Sequence, residues 1–189
     1  MPAVESNMLA LGTEAPPFSL PDFGGTRHSL DDAGDAAALL VMFICNHCPF
    51  VKHVRQELAR LGRDFAGRNV GVFAINSNDA ATHPGDSPDK MQVEAETWGY
   101  AFPYLVDGDQ SVATAYLAAC TPDFYLFGAD RKLVYRGQLD GSRPSNDIQV
   151  DGRDLRTALE KYLAGQPVPA AQTPSIGCNI KWKPGNEPD

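Results

Sequence analysis

Cys45 and Cys48 flank Asn46 and His47, and two cysteines at that spacing either close a small disulfide or supply half of a metal site. What surrounds them favours the disulfide. Leu39 to Ile44 is a short apolar run containing Val, Phe and Ile, the pattern of a strand covered on both faces. Downstream, Phe50, Val54, Leu58, Leu61 and Phe65 fall on one face of a helix. A cysteine where a strand ends and a helix begins sits in the field of unpaired backbone N–H groups, which favours thiolate over thiol. The ordinary thiol pKa of ~8.5 falls to roughly 3.5–7.5 in such places. On this reading Cys45 is the attacking thiolate and Cys48, in the first helical turn, is the resolving thiol. His47 is expected to pair with the Cys45 thiolate and make the couple more oxidising. Pro49 biases Cys48 away from helical dihedrals and predicts an irregular first turn.

A structural zinc site needs a second ligand pair, and His53, His83, Cys120 and Cys178 offer no paired spacing. No metal and no cofactor are therefore expected. The competing chemistry is a soft-metal carrier, for example of copper(I), with Cys45 and Cys48 joined by a histidine.

The elements that must position this pair follow from the rest of the 189 residues. With 43% hydrophobic and 21% charged residues, the chain reads as one globular domain, residues 1–189, with ample core. A net charge of -8 argues against nucleic-acid and anionic-membrane partners. The first twenty residues lack a basic stretch followed by an apolar run, and no span is long enough for a bilayer, so a cytoplasmic protein is expected. In a reducing compartment a Cys-x-x-Cys is more readily catalytic than structural.

Residues 1–15 read as a loose arm, and 18–20 with 26–30 as a short hairpin. Val70 to Ile75 is a second apolar strand, so strand, helix and strand predict a parallel crossover. Asn76 to Pro88 is a polar loop leaving that strand, where turn chemistry alone accounts for the residue types. Helices are expected at 88–98, 110–119 and 153–163, a strand at 102–106, and a hairpin from 124–127 to 133–139. Residues 166–189 form a proline-rich tail in which Ile176, Ile180 and Trp182 predict docking onto the domain.

With strand, Cys-x-x-Cys, helix, Thr121-Pro122 and hairpin in that order, the sequence resembles the thioredoxin superfamily, more narrowly its peroxiredoxin-like (redoxin, AhpC/TSA-type) branch. The stretches that carry it are 12–20 (GTEAPPFSL), 45–53 (CNHCPFVKH), 102–105 (FPYL), 120–124 (CTPDF), 133–137 (LVYRG) and 177–182 (GCNIKW). The resemblance implies an α/β thioredoxin fold, three layers around a mixed sheet, with an N-terminal hairpin extension. It implies Cys45 as attacking thiol, Cys48 as resolving thiol and a cis-Pro122 beside them, with Thr121 and Cys120 adjacent. Two features of related proteins are missing. The peroxidatic Pro-x-x-x-Thr/Ser-x-x-Cys pattern fits neither cysteine, and the buried acid six residues before the first cysteine is Leu39.

The expected function is thiol–disulfide exchange, with protein or small-molecule disulfides as substrates and a thiol system as electron source. A thiol peroxidase is the alternative within the same branch. Cys178 is expected to be held close to the domain, either as an auxiliary thiol or as a packing residue. His53 and His83 are read as ordinary solvated or core histidines.

Overall fold

A computed structural model describes residues 3–188. In chain order its elements are β1 (Ala3–Glu5), β2 (Ser19–Pro21), β3 (Arg27–Ser29), β4 (Ala38–Phe43), α1 (Pro49–Ala66), β5 (Val70–Asn76), α2 (Pro88–Trp98), β6 (Tyr104–Val106), α3 (Ser111–Ala115), β7 (Cys120–Thr121), β8 (Asp123–Gly128), β9 (Leu133–Gly137), α4 (Arg153–Leu163) and β10 (Ile176–Asn179).

The central sheet has the order β6-β5-β4-β8-β9. β4 pairs parallel with β5, Leu40 opposite Val72, and antiparallel with β8, Met42 opposite Phe124. Side chains alternate across a strand, so β4 feeds two cores. Ala38, Leu40 and Met42 pack with the buried faces of α1, α2 and α4. Leu39, Val41 and Phe43 pack with α3 and with Ala15, Phe18 and Leu20 from the N-terminal segment. Apolar on both faces, β4 is the buried central strand that its unbroken hydrophobic run predicts.

Three expectations are corrected. The N-terminal segment is no loose arm: β1 pairs with β10, and the Ser6 N–H donates to the Ser175 carbonyl. Its backbone groups find partners along an edge that the sequence does not reveal. α3 stops at Ala115, short of the expected Ala119, because Leu117 takes a positive φ of 52° and Tyr116 turns in among Phe43, Tyr125 and Phe127. The first turn of α1 is regular, and Cys48 lies outside it.

The tail docks as the middle strand of a second sheet, ordered β1-β10-β7. Gly177 makes that possible, since a Cβ there would lie 2.0 Å from the Thr121 carbonyl oxygen. Beyond it, the Lys181 carbonyl accepts from the Asp79 N–H at 2.8 Å and from Gln110 Nε2 at 2.9 Å. Among the described residues no helix is long and apolar enough to cross a membrane.

Candidate active site

Pro49 decides where α1 begins. It occupies the first helical position, where a missing N–H costs nothing, and it forces the preceding residue into an extended conformation. Cys48 is that residue, with φ -65° and ψ 126°, and its carbonyl accepts the first intrahelical bond from the Lys52 N–H at 3.0 Å. Cys48 is therefore the N-cap, and Cys45 stands a further three residues back in the loop.

Both sulfurs rest on Thr121, whose peptide bond to Pro122 is cis. Cys45 Sγ lies 3.2 Å from Thr121 Oγ1, and Cys48 Sγ lies 3.3 Å from the Thr121 carbonyl oxygen. β10 adds a third thiol. Cys178 is the direct partner of Thr121 in the β7–β10 register, and paired residues put their side chains on the same face. Cys45, Cys48 and Cys178 accordingly share one buried cluster, at 1%, 0% and 5% exposure. All are free thiols.

The surroundings of the two cysteines act in opposite directions, lowering the pKa of Cys48 and raising that of Cys45. The Cys45 thiol, donating to Cys48, is the main influence that brings Cys48 well below the ordinary thiol range, against its burial; the Cys178 thiol and the backbone amides of Val51 and Cys178 act in the same direction. Cys48 makes no regular capping hydrogen bond. As a thiol, Cys48 donates to the Thr121 carbonyl oxygen. Burial pushes Cys45 up, reinforced by the proton it shares with Cys48 and by the Asp86 charge. Burial and the bond to Cys48 push Cys178 up as well.

The loop 84–86 clamps the Cys-x-x-Cys turn. Asp86, with its side chain fully buried, accepts from the Asn46 backbone N–H at 2.7 Å, meets His47 Nδ1 at 2.5 Å and accepts from Asn78 Nδ2 at 2.8 Å. Asn46 returns a bond to the Gly85 carbonyl at 3.0 Å and accepts from the Tyr104 hydroxyl at 2.9 Å. His83 stacks on His47 with ring centroids 5.3 Å apart, so it belongs to the site rather than to solvent. His47 Nδ1 is thus held by the Asp86 carboxylate, while a ring nitrogen also lies within 4.8 Å of Cys45 Sγ.

Ligand-type atoms of Cys45, His47 and Asp86 lie within 4.8 Å of one another. This differs from the expected carrier set of Cys45, Cys48 and a histidine. The Asp86 carboxylate is already engaged by Asn46, His47 and Asn78, a donor arrangement that positions a loop more readily than it opens to a metal.

Cys120 faces away. It pairs with Asn179 on the opposite side of β7, its thiol turned onto the Pro122 carbonyl at 3.8 Å and its pKa raised by burial. A groove beside the cluster is lined by Phe50, His53, Val54, Pro122, Arg143 and Ile176. His53 Nε2 is buried without a hydrogen-bond partner among the described residues.

Asp86 is the functional residue that the sequence reading passes over. Its signal was available: it lies in the polar loop that leaves the carboxyl end of β5, beside the carboxyl end of β4, where open α/β sheets carry their sites.

Sheet order, helix-capping cysteine and cis-proline together define a thioredoxin-fold protein with a dithiol site. Residues 11–136 match the AhpC/TSA family, and the chain belongs to that family. It is 26% identical, over 149 residues, to the thiol-disulfide oxidoreductase ResA of Geobacillus kaustophilus, covering 77% of this chain and 78% of the relative. Two solved structures are more similar. An uncharacterized conserved protein from Geobacillus kaustophilus is 59% identical with a TM-score of 0.95, covering 98% of each chain. A hypothetical protein from Sinorhizobium meliloti is 51% identical with a TM-score of 0.94, covering 96% of this chain and 99% of the other.

Proposed function

We propose that the protein is a thiol–disulfide oxidoreductase whose Cys45 and Cys48 cycle between dithiol and disulfide, with Cys48 carrying the reactive thiolate. The observation that carries this reading is the position of Cys48 at the N-cap of α1, with its sulfur and that of Cys45 both resting on Thr121. The similarity to thiol-disulfide oxidoreductase ResA points the same way.

The steps balance as ordinary exchange. The Cys48 thiolate attacks a substrate disulfide R–S–S–R′, forms Cys48–S–S–R and expels R′–S⁻. Cys45 then attacks Cys48 Sγ, closes the Cys45–Cys48 disulfide and releases R–S⁻, which takes up the Cys45 proton. An external thiol reductant restores the pair. The substrate is a protein or small-molecule disulfide, and the groove that includes Phe50, Val54, Pro122 and Ile176 offers it apolar surface beside the cis-proline. Asp86 and His47 hold the Cys45–Cys48 turn in shape.

Turnover of a protein disulfide with dithiothreitol as reductant tests this. Cys48→Ser should reduce the rate to the uncatalysed level; unchanged turnover in that variant removes the reading.

A thiol peroxidase is the second reading, favoured by the family match. It would oxidise Cys48 to a sulfenic acid that Cys45 resolves. The missing Pro-x-x-x-Thr/Ser-x-x-Cys pattern ranks it second, and thiol-dependent consumption of hydroperoxide at the rate of disulfide turnover would promote it.

A further inference from the structure

We propose that Cys178 is a third redox cysteine of this site, which attacks Cys48 once Cys48 has taken up a substrate sulfur and so forms a Cys48–Cys178 disulfide. The proposal rests on the thiol–disulfide reading above and adds a second resolving thiol to it.

Three observations place Cys178 there. It is the register partner of Thr121, the residue that touches both Cys45 Sγ and Cys48 Sγ. It shares the buried cluster of those two cysteines, whereas Cys120, its neighbour across β7, turns to the other face. The strand that presents it is held on both sides, by β1 and by β7, and is admitted by a glycine whose Cβ would strike the Thr121 carbonyl.

The chemistry follows from the charge distribution. Cys178, its pKa raised by burial and by the charge of a Cys48 thiolate beside it, rests as the thiol. When Cys48 becomes Cys48–S–S–R that charge is gone, and one cause of the raised Cys178 pKa goes with it. Cys178 then attacks Cys48 Sγ, the Cys48–S–R bond breaks, and R–S⁻ leaves with the Cys178 proton as R–SH. The substrate disulfide is the oxidant, and one disulfide is consumed for one formed. Cys45 stays reduced throughout and can later displace Cys178 from Cys48, returning the oxidising equivalent to the Cys45–Cys48 pair.

The test uses the full chain with 5,5′-dithiobis(2-nitrobenzoate) as the substrate disulfide, followed by peptide mapping under non-reducing conditions. In Cys45→Ser, attack by Cys48 releases a first thionitrobenzoate, and resolution by Cys178 releases a second and yields a Cys48–Cys178 cross-link. Cys45→Ser/Cys178→Ser should stop at the first release, with the label retained on Cys48. If Cys45→Ser also retains the label and no Cys48–Cys178 peptide is found, the role of Cys178 is overturned while Cys48 as nucleophile stands. If Cys48 takes up no label in either variant, the thiol–disulfide reading fails and this inference with it. Because the decisive readout is made with Cys178 intact, it does not depend on a substitution in β10.

Discussion

Asp86 Oδ2 lies 2.5 Å from His47 Nδ1, and the same buried carboxylate accepts the Asn46 backbone N–H. One residue from the loop after β5 thus fixes both central positions of the Cys-x-x-Cys turn. In neutral His47 the Nδ1 proton belongs to this bond, and Nε2 has no partner among the described residues. The cost of the arrangement is a negative charge facing Cys45, one of the causes that hold its thiol up.

Asp86→Asn keeps an acceptor oxygen for the Asn46 N–H and removes that charge. In a Cys48→Ser background, alkylation of Cys45 by iodoacetamide should then shift to lower pH than with Asp86 present. An unchanged profile contradicts the electrostatic role. Asp86→Ala leaves the Asn46 N–H unpartnered as well and should destabilise the fold by about 1–3 kcal/mol in denaturant unfolding.

The Cys45 thiol is the main cause of the low Cys48 pKa, so Cys45→Ala should move the Cys48 alkylation midpoint upward, toward ~8.5. Conversely, in Cys48→Ala the remaining Cys45 should titrate above an ordinary thiol, because burial and Asp86 stay in place. A Cys45 midpoint below ~8.5 in that variant would restore the assignment expected from the sequence.

Gly177→Ala puts a Cβ 2.0 Å from the Thr121 carbonyl oxygen, and the atoms it meets are all backbone of the Thr121–Pro122 segment, which leaves little room to yield. Its cost should fall at the upper end of the about 1–3 kcal/mol typical of overpacking. With β10 displaced, the three thiols lose their cover, and a bulky maleimide should label them faster than in the parent protein. Equal stability and equal labelling would mean that β10 does not shield the cluster.

Much of the fold was legible because its pattern is local. The six-residue run of β4 and the face of α1 follow from apolar periodicity alone, and the junction they make located the cysteines. The position of Cys48 was partly legible: Pro49 announced non-helical dihedrals at Cys48, and the consequence is an N-cap rather than a distorted turn. What stayed hidden depends on distant pairing. Nothing near Ala3 shows that it lies opposite Cys178, and nothing near Asp86 shows that it reaches Asn46. The opposite shifts of the two cysteines were hidden in part for the same reason: Cys45 acts on Cys48 within the motif, but Asp86 and Cys178, which add to the shifts, are remote in sequence.

Asp123, directly after the cis-proline, is fully buried, and burial pushes its carboxyl up to about 7 despite the Tyr125 hydroxyl donating to it at 2.9 Å. The folded protein therefore holds a proton that the unfolded chain, with a carboxylate pKa of ~3.9, has already lost. Stability from this group is full below the unfolded value, falls as pH rises toward about 7, and levels off above it. Asp123→Asn should flatten that part of the profile of unfolding free energy against pH. A slope that survives the substitution assigns the effect to another group.

The central claim is a reversible dithiol–disulfide couple at Cys45 and Cys48, and its most direct test is equilibration of the protein in graded reduced and oxidised glutathione buffers. Each sample is quenched by alkylation, its thiols are counted by mass, and its disulfides are mapped. The account predicts one two-electron transition in which the Cys45–Cys48 disulfide forms first and Cys120 remains a thiol throughout. Four free thiols across the whole range, or oxidation that never links Cys45 to Cys48, would contradict it.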